Sequence, residues 1–590
     1  GSKFIFGPMG PKMNFEPPDP AFCGLLSDRT FMRNDNPHPT QAAALSSAVS
    51  FPELETPVAY RWFTNRVRFF AGTDSALWQS TLWLLLGFAL VRTVLFKATK
   101  LPEAAYFSGS MLGQMALRWP GALVLAAVVG FVYFGWSRIR WSDLAPDNAV
   151  RAFIGVVAGT LAWTFSVYDY NLYYGQLHLL ERLLLVALFL GGLWRPVLIA
   201  PFLTLVYLVT HQFDQPVSCT WTDKRVLFDI LSLFTGWMLV RLWKPKGWPT
   251  VTAGDFLFLA ICLHASNYFI PGFGKLISGW PLVERLDNLF IASYLNGWFG
   301  FLSEADALGW AKVIADWNPM MVWGSLLLEL GGLVCLWNRR WCAAYFVTCI
   351  SLHGMICLTT GILFWKWIVL DLALAGVLLF GNQPAISELF SRRRFRLSLL
   401  VIATSHFLFS PPWLAWFDTE LNEQYHLELV TVSGETFHLP RTFLAPYEVY
   451  FAQNKFHFLT HDKYVNGRYG TTSSLEVCKR LDGKPTRDTA DAVREELGET
   501  EFSEQKIAAF DRFMQRYLGN LNQRGSQYAL VPHFFQPPQH IYSIVPAPRF
   551  AGQDKVALVR VIHERSLYQR DRIETLKREV VREIPISQSL

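Results

Sequence analysis

Charge is scarce in this chain. Only 17% of its 590 residues are Asp, Glu, Lys or Arg, against 52% hydrophobic. Soluble domains carry about 25% charged residues, so this composition points to a polytopic membrane protein. The net charge of +6 is modest, and the Lys and Arg lie mostly in short loops between apolar runs. No basic stripe offers itself to nucleic acid. Cysteine is scarce too: eight residues, none in a CxxC pair, so neither zinc nor an iron–sulfur cluster is expected and no metal is predicted. Cys262, Cys335, Cys342, Cys349 and Cys357 lie in apolar runs and read as small core residues. The start lacks the basic, apolar and small-residue order of a signal peptide. There is no internal repeat, which argues against a transporter built from repeated halves.

Long apolar and aromatic runs are abundant, with 23 Trp and 47 Phe. After a polar segment (1–76), in which 61–70 reads as a short interfacial helix, bilayer-length runs fall at 78–97, 119–137, 149–168, 177–194, 196–212, 225–243, 253–274, 318–338, 341–361, 362–381 and 397–415. This predicts about eleven spans. The paired runs divide at Arg195-Pro196 and near Thr360-Gly361, and 288–302 is short enough to lie in the interface or re-enter. Arg138 and Arg140, Arg195, Lys244 and Lys246, Arg339 and Arg340, and Arg392 to Arg396 occupy alternate loops. The positive-inside rule makes those loops cytoplasmic. A cytoplasmic N-terminus and an extracytoplasmic C-terminal region follow, in a multi-pass cell (inner) membrane protein.

From 416 to 590 the chain changes character. His426 to His438 alternates about a Ser-Gly turn and reads as a hairpin. Helical spacing covers 479–499 and 502–521, and 555–563 reads as a strand. The predicted fold is therefore an all-α polytopic membrane bundle (77–415) with a C-terminal extracytoplasmic α+β domain (416–590). Cys219 and Cys478 are the two cysteines this topology places outside, where they can pair as a disulfide or stay as two free thiols.

The stretch from His264 to Trp280 organises the rest. An apolar helix carries His264, Asn267 and Tyr268 in its last turns. Pro271 is expected to end or kink it, and Gly272 and Gly274 to allow a tight turn. Lys275 follows at the membrane edge, with Trp280 as an interfacial aromatic. Lys275 is either a snorkelling anchor or an amine whose burial favours the neutral form.

Other ionisable residues within the spans are candidates on the same ground. His353 lies about 12 Å in from the outer end of its run, at 1.5 Å per residue. Lys366 sits between Trp365 and Trp367, Asp371 is deeper, and Glu329 stands beside Gly331 and Gly332. Each has a plainer reading: Glu329 as a helix-packing contact, Lys366 and Asp371 as an ion pair, His353 as a satisfied core histidine. His178 and Glu181 lack further metal ligands, His211 and Asp214 read as a wet loop, and 169–174 as an outer aromatic belt.

Three stretches resemble the HTTM domain of vitamin K-dependent γ-carboxylase-like membrane proteins. They are Tyr268-Phe-Ile-Pro-Gly-Phe-Gly-Lys275-Leu with Trp280, Leu-Leu-Leu-Glu329-Leu-Gly-Gly, and Ser351-Leu-His353-Gly-Met. Trp416-Phe-Asp418 and the following strand fit the same layout. The resemblance implies a lysine base at Lys275 that deprotonates a reduced quinone (vitamin K-like), after which O2 adds and the oxygenated intermediate takes a proton from a substrate before CO2 is captured. A desolvated amine suits that role, and apolar aromatic walls suit a quinone. The family's Asn-His-Ser-Tyr type stretch is here Asp223-Lys-Arg-Val-Leu-Phe-Asp229, without histidine, so glutamate carboxylation is one outcome among others.

The expected enzyme is thus carboxylase/lyase-like or a quinol-dependent oxygenase, acting on an exported peptide or lipid substrate. Lys275, His353 and His264 would be catalytic; Tyr268, Asn267, Trp280, Glu329 and Lys366 would bind substrate or cofactor. The alternative is a non-enzymatic membrane maturation factor or chaperone for an exported protein.

Overall fold

The computed structural model describes residues 75–587, apart from 146–147, 168–171, 215–221, 244–249, 382–383, most of 440–455, 484, 525–534, 545–549 and 551. The expected interfacial helix at 61–70 and Cys219 lie outside the described residues. Asp74–Leu590 forms one compact unit.

Twelve helices carry the apolar part: α1 Ser75–Ala98, α2 Gly121–Gly135, α3 Asn148–Ser166, α4 Leu179–Trp194, α5 Ile199–His211, α6 Thr222–Trp243, α7 Ala253–Ile277, α8 Leu286–Leu295, α9 Glu304–Gly331, α10 Arg339–Thr360, α11 Trp365–Phe380 and α12 Arg392–Ala403. Six of them are long and apolar enough to cross a membrane. Their exposed faces are apolar at helical spacing. Leu82, Leu86, Leu90 and Val94 line α1, and Trp310, Val313, Trp317, Met320 and Leu327 line α9. In water such stripes would be costly; they fit a multi-pass protein in contact with lipid. Of the shorter helices, α2, α4, α5 and α11 each fall within one predicted run, α8 overlaps the short stretch at 288–302, and α12 begins before the run at 397–415 and ends at Ala403. Length alone identifies six spans rather than the expected eleven, because helices such as α2 and α5 stop near four turns.

The boundaries have local causes. Asn338 accepts from Trp341 N–H (2.9 Å) to open α10, and Gly361 closes it at φ 73°, a conformation that favours glycine. Thr252 and Asp255 form a reciprocal capping box at the start of α7. Asp255 also pairs with Arg394 of α12 at 2.7 Å.

α7 is the centre of the bundle, buried from Ala253 to Gly272. Pro271 does not end it: the helix runs on to Ile277, and neither Gly272 nor Gly274 makes a turn. Apolar packing on all sides holds the helix through the missing N–H. A Cβ on Gly272 would lie 2.7 Å from Glu329 Cβ, and one on Gly332 would lie 2.7 Å from the Ala265 carbonyl. These glycines let α7 and α9 touch.

The C-terminal sheet has strands β1 Leu421–Thr431, β2 Thr436–His438, β3 Val556–Tyr568 and β4 Ile573–Pro585 in the antiparallel order β2-β1-β3-β4. The predicted hairpin is β1–β2. The register pairs Glu423 with Arg565, Tyr425 with His563, and His563 with Glu579. Helices α13 Leu475–Leu481, α14 Arg487–Leu497 and α15 Glu504–Arg524 complete the domain.

This domain rests on alternate connections of the bundle. Arg516 lies over Phe107 (4.4 Å) after α1. Phe513 stacks on Tyr173 (5.2 Å) after α3, and Tyr447 meets Phe213 (5.7 Å) after α5. Ile544 N–H donates to the Gly297 carbonyl (2.6 Å) beyond α8, and Leu363 N–H to the His540 carbonyl (2.7 Å) after α10. Tyr173 and Tyr174 are therefore buried beneath the domain, not in an aromatic belt facing lipid. His211 is fully buried and its Nε2 bonds the Phe96 carbonyl at 2.9 Å, so this histidine is not in a wet loop, while Asp214 beside it is partly exposed.

Candidate functional site

His264, Tyr268 and Lys275 lie on one stripe of α7, because spacings of four and seven residues nearly complete whole turns at 3.6 residues per turn. The lower part of the stripe makes a closed polar chain. His264 Nε2 is 2.7 Å from Asp371 Oδ1. Tyr268 donates its hydroxyl to Asp371 Oδ2 at 2.7 Å and is 2.9 Å from His353 Nε2. A carboxylate only accepts, and the tyrosine has one proton, which goes to Asp371. With Asp371 ionised, both histidines donate from Nε2. Both Nδ1 atoms are buried without a partner, each a lone pair able to take a proton. Phe346 stacks on His264 at 5.5 Å, and Trp367 stands edge-on to both histidines. Asp371 pairs with His264 and Tyr268, not with Lys366 as the spacing suggested; Lys366 Nζ sits 4.6 Å from the Trp365 ring.

The upper end of the stripe is a second polar centre. Lys275 Nζ donates to Glu329 Oε1 at 2.7 Å and lies 4.8 Å from the Trp280 ring. Glu329 Oε2 is buried and unpartnered. The flanking Phe273, Leu276 and Ile277 are exposed, so Lys275 borders the apolar surface. Asn267 faces elsewhere and bonds its own helix through the Leu263 carbonyl (2.8 Å).

Glu284 and Asp418, which the sequence did not single out, meet beside Lys275. Asp418 N–H donates to Glu284 Oε2 at 3.3 Å, and both side chains are buried. Burial, reinforced by Asp418, drives Glu284 well above the carboxylate range; burial raises Asp418 to about 6. Two buried carboxyls in contact keep a proton between them. The only forewarning was Trp416-Phe-Asp418 at the domain boundary. Nearby, Cys478 is a buried thiol whose Sγ lies 4.0 Å from the Val283 carbonyl; its expected partner Cys219 lies outside the described residues.

A third cluster lies within the C-terminal sheet. Glu423 receives Arg565 Nε at 2.9 Å, with His563 Nε2 at 3.4 Å and His457 Nδ1 at 3.6 Å. Tyr425 stacks on His563 at 4.6 Å. Burial alone would raise Glu423, but His563, Arg565 and His457 outweigh it and hold the carboxyl at about 2. Asp462, His563 and Glu579 have metal-ligand spacing. Lys577 bridges both carboxylates at 2.7 Å, which offsets one of their two charges.

A strap from the C-terminal domain crosses the bundle beside the polar chain of α7, at the end of α10. Tyr542 N–H donates to the Gly361 carbonyl at 3.0 Å, and the His540 ring stands 4.9 Å from Phe364, which stands 5.2 Å from His353. The bundle thus brings together His264, Tyr268 and His353 at one centre and Lys275, Trp280 and Glu329 at another. No family model, curated protein or solved structure matches the chain.

Proposed function

We propose that this chain is a membrane enzyme in which Lys275 serves as the base toward a reduced quinone or similar lipid, with O2 as co-substrate, in the manner of vitamin K-dependent γ-carboxylase-like proteins. The carrying observation is the Lys275–Glu329 contact at an apolar, lipid-bordering surface. In a low-dielectric site, passing the ammonium proton to the carboxylate replaces an ion pair with two neutral groups and removes a desolvation penalty. A neutral amine can then accept the proton of a quinol hydroxyl. His264, Asp371, Tyr268 and His353 would hold or pass protons beneath it. The acceptor would be an exported peptide or lipid, with CO2 captured if the reaction is a carboxylation.

We infer an inner-membrane location with a cytoplasmic N-terminus and an extracytoplasmic C-terminal domain. The domain's contacts with the connections after α1, α3, α5, α8 and α10 support this sidedness, because the arginine-rich connections are the others. The maturation-factor reading is favoured by those same contacts, which make the domain a clamp. Oxygen uptake by the purified protein on adding a reduced quinone tests the enzyme reading: uptake in wild type and none in Lys275→Ala is expected. Equal uptake in both, or none in wild type, overturns it.

A further inference from the structure

A different centre lies where α1 and α6 approach the domain. Arg92 Nε is 3.0 Å from Asp229 Oδ1, and Arg225 Nε is 3.7 Å from Asp229 Oδ2. Both guanidiniums also donate to the Phe409 carbonyl, at 3.3 and 3.2 Å. Two cations thus face one carboxylate, leaving one positive charge in excess. Asp229 is buried, while each arginine side chain is about a quarter exposed, at 23% and 24%. The terminal nitrogens Nη2 of Arg92 and Nη1 of Arg225 make no hydrogen bond among the described residues. Arg92 also lies 5.5 Å from the Phe88 ring centroid; the exposed stripe Leu82, Leu86, Leu90 and Val94 is on another face of α1.

Depth and rigidity narrow the ligand. Arg92 lies six residues before the end of α1 and Arg225 three residues after the start of α6, so the cluster is about 5–9 Å inside the helix ends at 1.5 Å per residue. On helices of 24 and 22 residues, that is just inside the edge of a roughly 30 Å hydrocarbon core, from which a long arginine side chain reaches toward lipid phosphates. An excess charge there is costly unless an anion meets it, and guanidinium forks match phosphate oxygens. The spacing of the two arginines is fixed deeper down. A Cβ on Gly87 would lie 2.9 Å from the Gly236 carbonyl oxygen, and one on Gly236 would lie 2.5 Å from the Gly87 carbonyl carbon. The helices are in backbone contact.

We propose that Arg92 and Arg225 form a clamp for the phosphate of an anionic phospholipid. The clamp would tie the outer ends of α1 and α6 to the segment that leads into the C-terminal domain.

The test is native mass spectrometry of the full chain in detergent, with phosphatidylglycerol, phosphatidylcholine or inorganic phosphate added. Wild type is expected to keep one phosphatidylglycerol, roughly five- to tenfold more tightly than phosphatidylcholine, and to keep it in the presence of inorganic phosphate. Arg225→Gln should lose the adduct. Because that variant leaves Asp229 with one partner, Arg92→Gln with Asp229→Asn is the second arm. It retains the single excess charge of the cluster and removes the fork. An adduct that survives in this double variant overturns the two-arginine clamp. Equal retention of phosphatidylcholine reduces the site to ordinary boundary lipid and also overturns it. Displacement by inorganic phosphate would make it a soluble-anion site instead.

Discussion

Two buried clusters in this molecule are built from the same parts. In the bundle, Asp371 meets a tyrosine and a histidine directly and a second histidine through the tyrosine. In the C-terminal sheet, Glu423 meets two histidines, each stacked on a tyrosine. The difference is Arg565. Its guanidinium fixes a permanent charge beside Glu423, so that cluster has one stable ionic state and serves to lock strand to strand. Asp371 has no lysine or arginine partner among the described residues, so only a proton can balance its charge. A cluster of that kind can exist with its proton on the carboxyl, on either histidine or gone. Fixed charge gives structure; movable charge gives chemistry.

The largest effect should come from removing the fixed charge. Arg565→Met leaves a buried carboxylate with histidines alone and should cost on the order of 3–5 kcal/mol, seen as an early unfolding transition of the C-terminal domain in detergent. A cost below about 1 kcal/mol would erase the distinction between the clusters. Asp371→Asn should be far milder for folding, because the amide can still accept from His264. Quinol-dependent oxygen uptake should nevertheless fall by about 10²-fold or more; an unchanged rate would make this cluster structural as well.

Acidity sharpens the contrast with two carboxyls five residues apart. Glu423 is held at about 2 against an ordinary 4.5. Its contribution is complete above pH 4.5 and lost as pH falls toward 2. Asp418 is raised from 3.8 to about 6. The folded state then binds more protons than the unfolded one between those values, so this contribution is present at low pH and lost as pH rises through 6. Each is worth roughly 1–3 kcal/mol. Melting curves across pH 3–7 for wild type, Glu423→Gln and Asp418→Asn should lose opposite slopes. The smallest effects should come from the tyrosines. Tyr268→Phe should cost about 1 kcal/mol, and Tyr425→Phe less, since its hydroxyl stands 3.3 Å from His457.

The order of apolar runs was legible because lipid-length hydrophobicity and loop arginines are strong, local signals. The divisions at Arg195-Pro196 and Thr360-Gly361 both fall at observed helix ends. The hairpin about Ser433-Gly434 was equally local. β4 was missed: Lys577, Arg578, Glu579, Arg582 and Glu583 disguise it, as charges often do on an edge strand. The site was half legible. His264 and Tyr268 one turn apart on an apolar helix invited suspicion, and Lys275 with Glu329 did too. That Asp371 would choose His264 over Lys366 depends on how α11 is rotated against α7, which no short spacing records. Pro271 misled because proline's rule for helices in water weakens where neighbours hold the helix on every side.

The clamp on alternate connections has a consequence for how the protein is made. The C-terminal domain is synthesised last, yet it holds the connections after α1, α3, α5, α8 and α10. Until the ribosome has released the sheet, those connections would lack their contacts with it, while the helices can already pack on one another. A chain stopped near residue 415 would keep the packing of its helices and lose the contacts that tie the connections after α1, α3, α5, α8 and α10 to the sheet.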